Sequence, residues 1–94
     1  MSAWIRSGSL HDLMASLGFR EFPIEGSHDM MFRDDAGHAT AVRAEPNVLL
    51  TPGVVDAFRR QLTGWGCIDE AAFDRWAESV RWTGPLSTPS SVAR

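Results

Sequence analysis

The stretch EGSHDMMFRDDAG, residues 25–37, decides the fold. Gly26 and Ser27 permit a tight turn, residues 29–33 carry the bulky apolar side chains of a strand, and Asp34, Asp35, Ala36 and Gly37 form a second turn whose glycine can take a positive φ. A strand ending in such a turn predicts a partner, and 38–43 supplies it: His38, Thr40 and Val42 alternate with Ala39, Ala41 and Arg43. Together they predict an antiparallel hairpin. In its first strand Met30 and Phe32 fall on one face and Met31 on the other, so one face is expected to meet helices and the other to be covered or to bind a partner. The plainer reading is that the methionines fill the core.

Upstream, 19–24 gives a short strand that Pro23 confines to an edge. Before it, Ser9 with Asp12 reads as a helix N-cap followed by an acid in the first turn. Leu10, Leu13, Met14 and Leu17 form the apolar stripe, and Gly18 ends the helix. His11 lies off that stripe and is expected to be solvated. Downstream, 44–50 reads as a loop broken by Pro46 and Asn47. Thr51 then caps a second helix with Pro52 at its first position. Val54, Val55, Phe58 and Leu62 face inward, Arg59 and Arg60 outward, and Gly64 and Gly66 end it. Ile68 and Asp69 open a third helix with Phe73, Trp76, Ala77 and Val80 on one face. Trp65, Trp76 and Trp82 are expected to pack this helix onto the domain or, in the alternative, to present an aromatic patch to a protein partner.

The element order predicts an α+β fold: a small α-β-β-β-α domain with an antiparallel three-stranded sheet, both helices on one face, and an added C-terminal helix. Residues 1–8 are expected to be a loose lead-in onto which Trp4 and Ile5 dock, 9–64 the domain, 65–82 the aromatic helix and 83–94 a disordered tail.

Composition narrows the function classes. The 94 residues are 44% hydrophobic and 22% charged, which suits one ordinary globular domain and excludes a disordered chain. No apolar run reaches the ~20 residues of a membrane span and the N-terminus lacks a signal-peptide pattern, so a cytoplasmic location is expected. The single cysteine, Cys67, excludes an internal disulfide and reads as a packing residue. Net charge is −3 and all nine basic residues are arginine, which counts against tight nonspecific binding of polyanions while allowing a local arginine cluster. No P-loop, metal-ligand spacing or Ser-His-Asp order is present, so no cofactor and no metal is expected.

His28 stands at the mouth of the strand, where a side chain can be held firmly and still be reached. A lone histidine is usually a surface or structural residue. Its setting is more specific: the triplet Gly26-Ser27-His28 follows a helix ending Leu17-Gly18-Phe19 and precedes a helix opening Leu50-Thr51-Pro52-Gly53. In this order, over roughly 10–62, the chain resembles the HicA family of toxin ribonucleases from type II toxin-antitoxin systems. The resemblance implies a double-stranded-RNA-binding-domain-like fold, metal-independent endoribonuclease activity on messenger RNA, and a cognate HicB-like antitoxin as partner. It puts His28 in the catalytic role, taking a proton from a 2′-hydroxyl. Ser27 either donates a hydrogen bond to a phosphate oxygen or shapes the turn. Arg33, Arg43, Arg59 and Arg60 are the candidates for phosphate contact. His38, placed by the hairpin about five residues along from His28, is expected to be structural. Two rival readings are a non-catalytic interaction module that binds through Trp65, Trp76, Trp82 or the Met30 to Phe32 strand, and a nucleic-acid binder that does not cleave.

Overall fold

A computed structural model describes residues 3–85. The chain runs β1 (Ile5–Arg6), α1 (Ser7–Ser16), β2 (Arg20–Pro23), β3 (Asp29–Arg33), β4 (Ala39–Arg43), β5 (Leu49–Leu50), α2 (Pro52–Gly64) and α3 (Glu70–Val80). It is a small α+β fold. β2, β3 and β4 form an antiparallel sheet in that order, with Phe22 opposite Met31, Met31 opposite Ala41, and Asp29 opposite Arg43. The β3–β4 turn falls where the sequence puts it: the Asp34 N–H donates to the His38 carbonyl at 3.1 Å, and Gly37 takes φ 92°.

Alternation divides the sheet into two unlike faces. On the inner face Phe32 and Val42 are buried with Leu10, Leu13 and Met14 of α1, Val55 and Leu62 of α2, and Phe73 and Ala77 of α3. The outer face presents Arg20, Phe22, Asp29, Met31, Arg33, Ala39, Ala41 and Arg43 in register. Phe22 is the one exposed large hydrophobic among the described residues, 43% accessible.

Local chemistry explains the later helices. The Thr51 hydroxyl accepts from the Val54 N–H at 3.3 Å with Pro52 following it, and the Asp69 carboxylate accepts from the Ala72 N–H at 2.7 Å. α1 and α2 close alike. After α1 the Phe19 N–H reaches the Met14 carbonyl and the Gly18 N–H that of Ala15; after α2 the Cys67 N–H reaches the Leu62 carbonyl and the Gly66 N–H that of Thr63, each within 3.1 Å. Both are Schellman closures, with Gly18 at φ 91° and Gly66 at φ 76°.

Three expectations are corrected. Of the expected lead-in 1–8, residues 1–2 lie outside the described residues, and 3–8 are not loose: Ile5 is 0% exposed, β1 pairs with β5, and Ile5 also bridges Arg81. For the same reason 44–50 is not wholly loop, since Leu49 and Leu50 are buried strand residues. The first helix begins at Ser7 rather than being capped by Ser9. Its leading N–H groups are satisfied from a distance, Ser7 donating to the Val48 carbonyl and Gly8 to that of Pro46, both at 2.8 Å, while the Ser7 hydroxyl bonds the Glu45 carbonyl. A side-chain cap is not needed where carbonyls from another segment take the free donors. Of the tail 83–94, residues 86–94 lie outside the described residues.

Candidate functional site

His28 is one residue before β3, at the open end of the β3–β4 hairpin. Its carbonyl accepts from the Ala44 N–H at 2.9 Å, which fixes the backbone against β4. Its side chain is exposed, and among the described residues it has no hydrogen-bond or ionic partner. The turn before it is set by Gly26 at φ 77° and by the Ser27 N–H donating to the Ile24 carbonyl at 3.1 Å. The Ser27 hydroxyl accepts from the Asp29 N–H at 3.0 Å. Ser27 thus shapes the turn that holds His28, and its O–H donates no hydrogen bond among the described residues.

The four candidate arginines separate into two kinds. Arg33 and Arg43 lie on the outer face with Arg20, which the sequence reading did not single out. The Arg33 guanidinium lies over the Phe22 ring, 5.7 Å from its centroid, Arg43 faces Asp29 at 3.6 Å, and Arg20 meets the turn residue Asp35 at 2.8 Å. Exposed pairs of this kind exchange readily with other anions. Arg60 is exposed on α2. Arg59 is differently placed: it binds both Asp74 oxygens, at 2.8 and 3.1 Å, and Glu70 at 3.4 Å, closing α2 onto α3. The hydrogen bond to Arg59 holds the Asp74 carboxyl below its usual range, and the same bond raises Arg59. Arg59 is already occupied and is not brought to the outer face.

The tryptophans are spread along the fold rather than gathered into one patch. Trp65 stacks on His38 with centroids 4.6 Å apart and planes 13° from parallel, and meets Phe19 at 6.3 Å. Trp76 sits edge-on to Phe73 at 5.1 Å, and Trp82 lies under Arg6 while donating its indole N–H to the Pro85 carbonyl at 3.2 Å. All three are half-buried.

No family model, curated protein or solved structure matches the chain. Nothing in these comparisons identifies a HicA family, so the function rests on the chain's own geometry.

The other two histidines are held. His11, expected to be solvated, is half-buried: its Nε2 is 2.6 Å from the Arg43 carbonyl and its ring 5.3 Å from that of Phe32. The α1 face that carries it is turned onto the sheet, a tertiary contact invisible in helical periodicity. His38 is structural, as expected, and sits at the hairpin tip. The Asp34 carboxylate accepts from both the His38 backbone N–H and Nδ1, each at 2.8 Å, and the Cys67 sulfur is 3.8 Å from that same Nδ1. Burial pushes the Asp34 carboxyl up, but the His38 side-chain and backbone hydrogen bonds together outweigh it and leave Asp34 below the usual range. Burial, with the nearby Asp34 charge, pushes the Cys67 thiol up, so it is no ready nucleophile at neutral pH. The Asp34, His38 and Cys67 grouping has no sequence signal, because its third member stands far along the chain at the closure of α2.

Proposed function

We propose that the chain is a HicA-like, metal-independent endoribonuclease that cuts messenger RNA in the cytoplasm, with His28 as its catalytic base and a HicB-like antitoxin as its inhibitor. The observation that carries this reading is the state of His28: fixed through its backbone by the Ala44 N–H, yet exposed and without a side-chain partner among the described residues. A structural histidine in this molecule looks different, as His11 and His38 do. Imidazole titrates near neutral pH and accepts a proton without a metal.

In the proposed reaction His28 takes the proton of a ribose 2′-hydroxyl, the 2′-oxygen attacks the adjacent phosphorus, and the bond from phosphorus to the 5′-oxygen breaks. The products are a 2′,3′-cyclic phosphate and a 5′-hydroxyl, the leaving oxygen taking its proton from water. Arg43 lies across from Asp29, the residue after His28, and is the nearest arginine in register to the site. Arg20 and Arg33 extend positive charge along the same face, and Phe22 offers a ring on which a base can stack. On this face three guanidiniums stand against two carboxylates, Asp29 and the turn residue Asp35, so the face is locally positive within a chain of net charge −3. Arg60 is a further candidate on α2, whereas Arg59 is excluded from the proposal because Asp74 and Glu70 hold it.

Induced expression of wild type and His28→Ala, with messenger RNA followed over time, tests the reading. Wild type is expected to arrest growth and deplete messages, and the folded variant to do neither. Equal behaviour of the two removes His28 from catalysis.

A second reading is favoured by one observation, the exposure of Phe22 beside Met31 on the open outer face. In it the face binds a protein and cuts nothing. Phe22→Ser then abolishes complex formation while His28→Ala leaves it intact.

A further inference from the structure

We propose that Asp34, His38 and Cys67 form a binding site for one zinc ion that joins the tip of the β3–β4 hairpin to the closure of α2. The site is separate from His28 and does not depend on the ribonuclease reading.

The donor atoms are together before any ion is considered. A carboxylate oxygen of Asp34, an imidazole nitrogen of His38 and the Cys67 sulfur all lie within 4.8 Å of one another. The nitrogen in question is Nδ1, 2.8 Å from Asp34 Oδ2 and 3.8 Å from the sulfur. Around tetrahedral zinc, bonds of about 2.0 Å to nitrogen and oxygen and about 2.3 Å to sulfur set edges of about 3.3–3.6 Å between ligand atoms. The nitrogen–oxygen distance must open and the nitrogen–sulfur distance close, each by about half an ångström or less. The oxygen–sulfur edge, within 4.8 Å here, must come to about 3.5 Å as well.

Each ligand is also aimed by a contact that does not involve the other donor atoms. Asp34 Oδ1 accepts the His38 backbone N–H at 2.8 Å, which turns Oδ2 toward the site. The His38 ring plane is set by stacking on Trp65, 4.6 Å between centroids. Cys67 follows Gly66 in the closure of α2, where its N–H is bonded to the Leu62 carbonyl at 3.0 Å. Outer contacts that fix the orientation of a ligand in this way are a regular part of metal sites. The side chains are 12% accessible for Asp34 and 28% for His38, so the cluster is sheltered and an ion still has a path from solvent.

The donor set selects the metal. Thiolate and imidazole favour zinc over magnesium or calcium, which take oxygen ligands. Three protein ligands leave the fourth tetrahedral position to water. On binding, the Cys67 thiol releases its proton, and His38 coordinates through Nδ1 with its remaining ring proton on Nε2. The proton that Nδ1 shares with Asp34 leaves as the ion takes its place, moving to Nε2 of the neutral ring or, where Nε2 already carries one, to solvent. The ion stands six residues from His28 along β3, roughly 20 Å away in an extended chain, so occupancy and RNA cleavage are separable.

The test uses the full chain, reduced and stripped with a chelator, then titrated with cobalt(II) as a spectroscopic stand-in and with zinc. One equivalent of cobalt is expected to give a thiolate-to-metal charge-transfer band and the strong visible bands of a tetrahedral site, both bleached by one equivalent of zinc. Zinc at a hundredfold above its dissociation constant is expected to raise the melting temperature by roughly 10 °C. Cys67→Ser is expected to fold as the apo protein does and to lose the charge-transfer band, and His28→Ala to keep it. Wild-type protein that gives no thiolate band at one equivalent overturns the site whatever the variants do. So does a band that survives in Cys67→Ser, or binding of several weak ions through the exposed acids alone.

Discussion

The two ends of the β3–β4 hairpin each carry a histidine, and their surroundings are opposite. At the tip, His38 is bonded through Nδ1 and its backbone to Asp34, stacked on Trp65 and approached by Cys67. At the open end, His28 is held only through its carbonyl, and its ring stands in solvent. The tip histidine contributes to the fold and has little freedom left for chemistry. The open-end histidine contributes little to the fold and is free to act. Placement by the backbone with release of the side chain is what a general base needs. Saturation of every polar atom is what a structural contact needs.

The contrast can be broken or sharpened by four substitutions. Phe32→Ala removes the fully buried side chain on β3 between the two ends, within contact of His11 and the core. It is expected to cost about 3–5 kcal/mol and to disable both ends together, seen as a large fall in urea midpoint. His38→Ala removes the stack and the side-chain hydrogen bond. It is expected to cost about 1–3 kcal/mol, with a change in Trp65 fluorescence and RNA cleavage retained. A loss of cleavage with unchanged stability would reverse the roles given to the two histidines.

Asp74→Asn probes the α2–α3 tie from whose near end Trp65 and Cys67 reach the tip. The Asp74 carboxyl is held low by Arg59, so its stabilisation is present above the ordinary carboxylate pKa and is lost as pH falls through the lowered value. Wild type is therefore expected to melt above the variant at neutral pH, and the two curves to converge in acid. A gap that stays constant with pH would show that the ion pair is not its source. His28→Ala is expected to have the smallest effect on stability, within about 0.5 kcal/mol, so that its melting temperature stays within a few degrees of wild type.

What was readable in the sequence follows from the range of the interactions involved. The hairpin was legible because its turn is local: Asp34, Gly37 and the alternation on either side lie within a few residues. The caps at Thr51 and Asp69 were legible for the same reason. The start of α1 was not, because its free N–H groups are met by carbonyls of the 45–48 segment, so Ser9 offered a cap that the helix does not use. β1 and β5 are two residues each and carry no periodicity to detect. His28 could be singled out by its place at the mouth of a strand, whereas Arg20 gained its place only once β2 was paired with β3. The metal-ligand cluster was hidden most deeply, since Cys67 reaches Asp34 and His38 only after α2 has packed.

The most direct measurement is cleavage of a defined single-stranded RNA by purified wild type and His28→Ala in the presence of excess chelator. Wild type is expected to cut, leaving 2′,3′-cyclic phosphate and 5′-hydroxyl ends, and His28→Ala to cut at least ~100-fold more slowly while melting at the same temperature. Equal cleavage by the two proteins, or cleavage by neither, would contradict a catalytic role for the free histidine at the open end of the hairpin.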